Sequence, residues 1–527
     1  MDRLLKLLKP VREANYQEDR GCMEGTRTAV LDKIISWVNK PLDVNQASKS
    51  HSDNIYWLYG MPGLGKTSVA NSLCHRLHET GNLGGSFFCK RDEEILRDPK
   101  NVLPTLISKL AAMWTPYRRL VAQALLDDPQ LNPKSTSGIL LLKTLRALEK
   151  PPSRTLVLVI DALDECGDDI TRDVLLKSLL EASSQVEWLR IVITSRPEHD
   201  IRSFFKAQGC TGHDLAGDDQ NDKDIRHFAQ ERMLLLAKSR NRQQGWPGEA
   251  RLNQINQRSH GLFIYVETIY RILKPLKNPD QGLDLVLGQQ QQDANAELYS
   301  LYLAALRSQV GKETEEYSRV SRAIIAVATY RPLNDESLAS LIGMDVAVIQ
   351  AWVDALGWVF LRDQSQQGGI RIRHLSILEF LTGISDPADL QVNLKLAHAE
   401  LSLHCLRTMT KQLRFNICGL ETSYLANLDI EDLEDRVRRC IPETLEYSCM
   451  HWASHLRFDL DPPSDVVNEL LIEFFGGVLP LYWLEVLSIT GNIPAAIVAL
   501  QAITESSKVC SGCSLGYQSI EKTVCRN

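Results

Sequence analysis

The chain has 527 residues, of which 44% are hydrophobic and 24% are charged, and its formal net charge is −7. This composition is typical of a soluble globular protein, and the length allows about three or four domains. The acidic balance argues against a nucleic-acid-binding protein, and no apolar run reaches the roughly 18–20 residues that span a bilayer. The twelve cysteines are scattered along the chain, which indicates reduced thiols in a cytoplasmic protein.

The first predicted part of the chain is a helical lead-in, residues 1–50. Its start, residues 1–16, is basic and amphipathic, which fits either a helix docked on the next domain or a helix that binds a membrane surface or a partner. Further on, four apolar residues recur at the spacing of one helix face: Val30, Ile34, Ile35 and Val38.

The second part, residues 51–212, alternates apolar strands with helices. Strands are predicted over 54–60, 84–92, 155–161 and 189–194. Helices are predicted from about Lys66, over 101–125 and over 171–183. Because each strand is apolar throughout, the pattern predicts an α/β domain in which helices cover both faces of a parallel sheet.

Beyond residue 212 the pattern becomes helical. A small helical domain is predicted over residues 213–297. Residues 298–388 combine helices with two short β-like runs, Trp358–Leu361 and Ile370–Ile372, and this order fits a winged-helix domain.

The remainder divides into a helical domain, residues 389–505, and a tail, residues 506–527, that lacks a clear period and is predicted to be disordered. The CxxC pair Cys510 and Cys513 in this tail is interpreted as free thiols, because a zinc site needs four ligands and no fourth candidate lies nearby. No repeat of fixed period occurs along the chain.

A phosphate-binding motif follows the first predicted strand. The sequence GMPGLGKT matches GxxxxGK[ST], between an apolar strand and an amphipathic helix. Glycines let successive N–H groups face phosphate oxygens, Lys66 reaches the β- and γ-phosphates, and the Thr67 hydroxyl ligates Mg²⁺. The motif therefore predicts a site for ATP or ADP with Mg²⁺, formed by Gly60, Pro62, Gly63, Leu64, Gly65, Lys66, Thr67 and Ser68.

A second carboxylate for the metal is supplied by the run TLVLVIDALDEC. Asp161 ends an apolar strand, so its side chain should lie at the carboxyl edge of the sheet, where ligands bind. We expect Thr67 and Asp161 to hold Mg²⁺, directly or through water. Asp164 or Glu165, which follow closely, would position or deprotonate the attacking water, or alternatively cap a helix.

A third strand end adds a cation. The run LRIVITSRPE places Arg196 just after a strand, where a guanidinium can contact the γ-phosphate. The alternative is a surface arginine in a loop before proline.

Together, GMPGLGKTSVA, LVIDALDEC and IVITSRPE resemble the NACHT class of signal-transducing P-loop ATPases, which belongs to the STAND group. The acidic pair that begins three residues after the strand-end aspartate is the most typical feature. The runs CMEGTR and CIPETLEYSCMHWASHL resemble NACHT proteins of filamentous and mushroom-forming fungi, and the likeness covers roughly residues 20–500.

The resemblance implies further site residues. A winged-helix histidine of the family contacts the β-phosphate of ADP, and the matching residue is His374. Thr26 and Arg27 match positions near the adenine and ribose. The family's Gly-x-Pro turn corresponds to residues 261–263, where Phe263 replaces proline.

The resemblance also implies an ATP/ADP-controlled switch that hydrolyses ATP slowly, if at all, and associates with itself in the ATP state. The repeat sensor and effector domain typical of the family are not evident in the sequence, which suggests a truncated product or one that acts with partners. A second hypothesis is a nucleotide-bound scaffold without hydrolysis. A small-molecule kinase is a third, but more than 300 residues of helical sequence after the P-loop domain argue against it.

Overall fold

The computed structural model describes residues 2–40, 54–91, 93–128, 133–149, 152–186, 188–243, 245–288, 293–363, 368–383, 390–422, 424–456 and 465–505. The predicted disordered tail, with Cys510 and Cys513, lies outside these residues. The chain divides into two compact units, Met1–Ala305 and Leu306–Asn527. The finer domain boundaries given above stay predictions.

The first unit contains a five-stranded parallel sheet in the order β2-β3-β4-β1-β5. Its strands are β1 (Ile55–Tyr59), β2 (Leu83–Phe88), β3 (Leu156–Asp161), β4 (Leu189–Ser195) and β5 (Thr211–Asp214). The sequence missed β5, because its residues TGHD carry no apolar side chain. The strand forms through parallel pairing with β1.

Among the described residues of this unit, nine helices precede the sheet or surround it. They are α1 (Asp2–Leu5), α2 (Thr28–Val38), α3 (Lys66–Glu79), α4 (Glu94–Arg97), α5 (Val102–Met113), α6 (Thr115–Asp127), α7 (Pro133–Arg146), α8 (Asp169–Gln185) and α9 (His199–Gln208).

Neighbouring aromatic residues of β1 show that helices cover both faces of the sheet. Trp57 stacks on Phe205 of α9 with ring centroids 4.7 Å apart, whereas Tyr56 packs on Trp37 of α2 at 5.2 Å. Successive side chains of a strand point to opposite faces, so α9 and α2 lie on opposite sides. The predicted α/β class is confirmed.

The helix predicted over residues 101–125 is two helices. Trp114 has extended backbone angles, φ −129° and ψ 104°, and α6 begins directly after it with Pro116 in its first turn. Proline lacks the N–H that a helix interior needs and restricts the preceding residue, so it starts a helix better than it continues one.

The sheet is followed by a helical segment within the first unit. Its helices are α10 (Asn221–Ser239), α11 (Glu249–Arg258), α12 (Phe263–Leu273) and α13 (Pro279–Val286). Ion pairs join these helices; Arg232 of α10 contacts Glu267 of α12 at 2.8 Å, and Arg251 of α11 contacts Asp280 of α13 at 2.9 Å. The next helix, α14 (Ala294–Val310), contains the division between the two units.

The second unit is mostly helical and contains a two-stranded hairpin. The hairpin strands β6 (Phe360–Asp363) and β7 (Gly369–Ile372) are antiparallel, as the two β-like runs indicated. The helices of this unit are α15 (Thr314–Ala328), α16 (Asp335–Ile342), α17 (Val346–Ala355), α18 (Leu375–Thr382), α19 (Leu394–Gln412), α20 (Leu433–Cys440), α21 (Glu443–Leu456), α22 (Asp465–Phe475), α23 (Leu479–Ile489) and α24 (Pro494–Glu505).

In the described part of the chain, no single helix has the length and apolar character needed to cross a membrane. Two segments, Glu469–Phe475 and Leu479–Ile489, meet those criteria only when taken together, and a bend of 77° separates them.

Candidate functional site

The phosphate-binding loop, residues 60–67, joins the end of β1 to the start of α3. Gly65 has φ 88° and caps the helix, and no atom lies within 4 Å of where its Cβ would be. Glycine adopts this left-handed conformation without the steric cost that other residues bear. The loop therefore turns sharply and presents the N-terminus of α3, where backbone N–H groups and the helix dipole favour an anion.

Lys66 lies within this loop. Its Nζ donates hydrogen bonds to the carbonyl oxygens of Gly60, at 2.7 Å, and Met61, at 3.0 Å. Burial lowers the pKa of Lys66, while the nearby carboxylates of Asp164 and Asp161 act in the opposite direction. The ammonium group is thus held at the loop, between the phosphate-binding backbone and the acidic residues that follow β3.

Three side chains converge at the end of β3. Asp161 is buried, and its carboxylate accepts a hydrogen bond from the Thr194 hydroxyl, which itself accepts from the backbone N–H of Ala162 at 3.0 Å. The Thr67 side chain acts on the same carboxyl group and lowers its pKa. The sheet order explains the meeting, because β4, which carries Thr194, lies between β1 and β3. Thr67 and Asp161, the two predicted metal ligands, are brought together.

The electrostatics of Asp161 suit a cation. Burial raises the pKa of this carboxyl group to about 6, and its bonds to Thr194 and Thr67 oppose the rise. Oxygen ligands of this kind, one carboxylate and one hydroxyl, are those that Mg²⁺ takes beside phosphate oxygens. No group of three or more His, Cys, Asp or Glu side chains suited to a metal occurs among the residues that the structure describes. A cation held by Thr67 and Asp161 would take its remaining ligands from phosphate oxygens or water.

The two acidic residues after β3 have different partners. Asp164 is buried and binds Arg196 twice: its Oδ1 accepts from the Arg196 backbone N–H at 2.9 Å, and its Oδ2 lies 3.3 Å from Arg196 Nε. Glu165 accepts from the Arg91 backbone N–H at 3.2 Å. Asp164 thus orients Arg196, whereas Glu165 is bonded to the backbone of Arg91.

The remaining predicted loop residues flank this centre. Pro62 is half-buried in the loop, and Ser68 is half-buried in the first turn of α3. Leu64 is buried, and its Cδ1 atom lies 2.7 Å from the position that a Cβ on Gly60 would take. A side chain at position 60 would therefore displace the end of the Leu64 side chain.

Arg27 joins the loop to two other parts of the first unit. Its Nη2 donates to the carbonyl of Leu64 at 2.8 Å and to Oδ1 of Asn221 at 2.6 Å, and its guanidinium lies 4.9 Å from the centre of the Phe263 ring. The side chain is buried, and its Nε and Nη1 have no hydrogen-bond partner. Thr26, the other residue matched to the nucleotide, donates to the carbonyl of Met23 at 2.7 Å.

A second link runs from the loop to α12. The backbone N–H of Ile264 donates to the Gly63 carbonyl at 3.2 Å, and a Cβ on Gly63 would lie 2.2 Å from Ile264 Cγ2. Gly63, with φ 83°, therefore tolerates no side chain. The sequence did not identify Ile264 or Asn221 as site residues, since neither belongs to a motif and both depend on the tertiary fold.

His374 lies in the second unit. It caps α18, where its Nδ1 accepts from the backbone N–H of Ser376 at 3.1 Å and lies 2.7 Å from the Ser376 hydroxyl. These contacts orient the imidazole at the start of a helix. Its contact with a β-phosphate stays a prediction.

Comparisons with known proteins support the family resemblance that the motifs indicate. Residues 34–196 match the family described as Nephrocystin 3, N-terminal. The chain is 24% identical over 537 aligned positions to the vegetative incompatibility protein HET-E-1 of Podospora anserina, a match that covers 94% of this chain and 38% of the relative. The resemblance to NACHT-type P-loop ATPases of the STAND class is thereby confirmed, and the chain spans well under half of that relative's length.

Two solved structures are also similar. One is a STAND protein with a tetratricopeptide repeat sensor from Pyrococcus horikoshii, with 14% identity, 93% of this chain and 68% of that chain covered, and a TM-score of 0.37. The other is the ORC1 protein of Aeropyrum pernix in complex with DNA, with 14% identity, coverage of 71% and 95%, and a TM-score of 0.29. Because both TM-scores are low, no site or activity is inferred from either structure.

Proposed function

We propose that the chain is a nucleotide-dependent switch of the NACHT type, which binds ATP or ADP with Mg²⁺ at residues 60–67 and Asp161. The observation that carries the proposal is the double link between the phosphate-binding loop and the helical segment. Arg27 bonds Leu64 and Asn221 together, and Ile264 bonds Gly63. A ligand in the loop therefore acts on contacts that also fix the helical segment.

The loop residues would hold the phosphates, with backbone N–H groups and Lys66 as donors. Thr67 and Asp161 would hold Mg²⁺, which neutralises phosphate charge when bound. Arg27 offers two unpaired buried N–H groups, Nε and Nη1, which suit a ribose or adenine acceptor near Leu64.

Discrimination between ATP and ADP is the second element of the proposal. Arg196, aimed by Asp164, would contact the γ-phosphate in the ATP state. His374 would contact the β-phosphate of ADP in the closed state, as the family resemblance implies. A ligand shifts an equilibrium only by its difference in affinity for the two states, so these two residues would set the balance. The ATP state would then self-associate or bind protein partners of unknown identity.

Slow hydrolysis would return the switch to the ADP state, with Glu165 orienting or deprotonating the water. A second candidate function is a nucleotide-bound scaffold that does not hydrolyse ATP. It is favoured by the hydrogen bond from the Arg91 backbone to Glu165, which occupies one carboxylate oxygen.

The experiment has two stages. The purified chain is denatured and the released nucleotide is identified; then phosphate release from Mg-ATP is compared for the wild type, Glu165→Gln and the exposed control Glu181→Gln. A switch predicts bound adenine nucleotide and slow release that Glu165→Gln alone abolishes. Bound nucleotide with equal background release in all three supports the scaffold, and no adenine nucleotide binding would rule out both functions.

A further inference from the structure

A cavity of about 690 Å³ lies in the first unit beside β2, the strand at one end of the sheet order. Its walls are formed by residues of the lead-in, the last turn of α3, the first part of β2 and one face of α5. Volumes of about 300–1,000 Å³ are typical of sites for small molecules. The cavity therefore has room for a small organic ligand.

This cavity is separate from the nucleotide loop. Lys66 begins α3 and His78, which lines the cavity, lies in its last turn, so a rise of about 1.5 Å per residue places them about 18 Å apart. From β2 the cavity takes the residues at the start of the strand, whereas nucleotides bind beyond the carboxyl ends of parallel strands. A ligand in the cavity would thus not compete with a nucleotide for space.

The lead-in wall of the cavity is fixed to its neighbours by backbone hydrogen bonds. The N–H of Val11 donates to the Thr105 hydroxyl of α5 at 3.0 Å. The N–H of Gln17 donates to Oδ1 of Asn71 in α3 at 2.7 Å. These bonds lie on both sides of the lead-in residues that line the cavity, so the cavity is a built feature rather than a gap beneath a loose segment.

Lys109 of α5 crosses the face of β2 inside the cavity. A Cβ on Gly85 would lie 3.2 Å from Cβ of Lys109 and 3.5 Å from its Cδ, so the lysine stem runs directly over this glycine. Its Nζ donates a hydrogen bond to the carbonyl oxygen of Ser86. Of the described residues that line the cavity, Lys109 alone carries a primary amine.

The surroundings of Lys109 favour its uncharged form. Burial lowers the pKa of this side chain to about 8. An ordinary lysine has a pKa of about 10.4, so at pH 7.5 about a quarter of Lys109 lacks the extra proton, against about a thousandth of an exposed lysine. The uncharged amine is a nucleophile for carbonyl carbon, and burial is a common way to prepare a lysine for imine formation.

The rest of the lining indicates which kind of carbonyl compound fits. The rings of Tyr16 and His78 lie 6.2 Å apart, and Met113, which is 45% exposed, adds an apolar side chain at the solvent side of the cavity. Glu18 and Asp19 are exposed carboxylates of the same lining. Aromatic and apolar walls favour a ligand with an apolar body, and two carboxylates repel an anion.

We propose that this cavity binds an uncharged aromatic aldehyde and that Lys109 joins it through an imine. The Lys109 nitrogen attacks the carbonyl carbon, a proton passes from nitrogen to the carbonyl oxygen through solvent, and a carbinolamine forms. The hydroxyl group then leaves with the second proton of the nitrogen as water, and a C=N bond remains. No electrons are gained or lost overall, so the step needs neither an oxidant nor a reductant.

The test maps the lysines of the folded, full chain that react. The protein is incubated at pH 7.5 with benzaldehyde and sodium cyanoborohydride, which reduces each imine to a stable benzylamine, and labelled lysines are quantified by peptide mass spectrometry. Lys177, an exposed lysine of α8, is the internal reference. The expected result is about tenfold or more label at Lys109 relative to Lys177. Equal labelling of the two lysines would overturn the proposal.

Two further comparisons separate a binding cavity from a lysine that is merely reactive. Met113→Trp, at an exposed position, should obstruct the cavity and lower the labelling of Lys109 by about tenfold, with Lys177 unchanged. With 4-carboxybenzaldehyde, an anion, the ratio of Lys109 to Lys177 label should fall, and the double variant Glu18→Gln, Asp19→Asn should restore it. Labelling of Lys109 that ignores Met113→Trp, or an equal ratio for both aldehydes, would each overturn the proposal. The comparison of the two aldehydes on the wild type decides even if a variant does not fold.

Discussion

Arg27 and Leu64 are joined by a hydrogen bond of 2.8 Å from the guanidinium to the backbone carbonyl. Leu64 precedes the glycine that caps α3, so this bond holds the phosphate-binding loop itself. The same nitrogen also bonds Asn221 at the start of α10. The lead-in, the loop and the helical segment therefore depend on one buried side chain, and nucleotide in the loop can influence all three.

Replacing Arg27 with methionine should destabilise the first unit. Arg27→Met keeps an apolar stem of similar length but leaves the Leu64 carbonyl and Asn221 without their donor, at a cost of about 3 kcal/mol. Chemical denaturation measures this cost. The control Arg20→Met, at an exposed site, should change stability by no more than about 0.5 kcal/mol. Equal effects of the two variants would show that Arg27 does not anchor the loop.

Lys66→Met should weaken ATP binding by about 100-fold or more, because the loop loses its only lysine cation beside the phosphate-binding backbone. Isothermal titration calorimetry gives the dissociation constant directly. Lys177→Met is a matched control, since Lys177 is an exposed residue of α8 paired with Asp173. If Lys66→Met binds ATP as tightly as this control, residues 60–67 do not form the phosphate site.

The carboxyl group of Asp161 should contribute more to the stability of the folded protein at low pH than at neutral pH, which is the opposite of the usual behaviour of an aspartate. Its folded pKa of about 6 lies above the usual value of an unfolded aspartate, so the folded state holds the proton more tightly. The carboxyl group therefore favours folding at low pH, and this contribution is lost as pH rises from about 4 through 6. Asp161→Asn should thus be more stable than the wild type at pH 7.5, by roughly 2–3 kcal/mol, with little difference at pH 4.

The same variant should bind nucleotide less well in the presence of Mg²⁺. Titration of ATP with and without Mg²⁺ should show that the metal strengthens binding to the wild type but not to Asp161→Asn. Asp173→Asn, at a half-exposed carboxylate of α8 away from the loop, is the control for both measurements. A Mg²⁺ effect that survives in Asp161→Asn would place the metal elsewhere.

Neutral substitutions of Asp164 and Glu165 should have different effects on nucleotide binding and hydrolysis. Asp164→Asn weakens the hold on the Arg196 guanidinium, so the preference for ATP over ADP should fall, by an expected factor of about 10. Glu165→Gln should leave both affinities within about twofold while phosphate release falls by about 100-fold. Paired measurements of the two dissociation constants and of phosphate release distinguish the roles, and the reverse pattern would exchange them.

The buried histidines of the second unit predict loss of stability in acid. His455 Nδ1 lies 2.7 Å from His398 Nδ1, its Nε2 lies 2.8 Å from the Tyr447 hydroxyl, and His451 stacks on Tyr330. Burial lowers the pKa of all three rings, to about 4 for His398 and about 3 for His451. Their charge-free state supports folding above the unfolded pKa near 6.5, and this support is lost as pH falls below it.

The expected loss between pH 7.5 and 5.5 is about 4 kcal/mol for three histidines that stay neutral in the folded state. Hydrogen exchange of α19 and α21, which carry these rings, should accelerate over this interval. His451→Phe, which keeps a ring beside Tyr330 and removes one titrating group, should reduce the slope by about a third. An unchanged slope would show that His451 does not remain neutral.

The sequence predicts the sheet domain well because its strands, and the residues at their ends, can be recognised from short runs of neighbouring residues. Three apolar strands, one that ends in Asp161 and two that are followed directly by Gly60 and Arg196, mark both the sheet and the edge at which the site lies. Two errors have physical causes: Pro116 divides a continuous helical pattern, and the polar strand β5 is stabilised by pairing rather than by its own residues. Arg27, Asn221 and Ile264 meet only in the folded chain, so their links to the loop could not be read from residue spacing.

The measurement that tests the proposed switch most directly is the molar mass of the full chain by light scattering after size-exclusion chromatography. Glu165→Gln is used with Mg-ATP so that the triphosphate persists, and the wild type with Mg-ADP. The switch predicts the mass of one chain in ADP and a larger assembly in ATP, with Lys66→Met monomeric in both. Identical masses for Glu165→Gln in saturating ATP and in ADP would contradict nucleotide-controlled self-association.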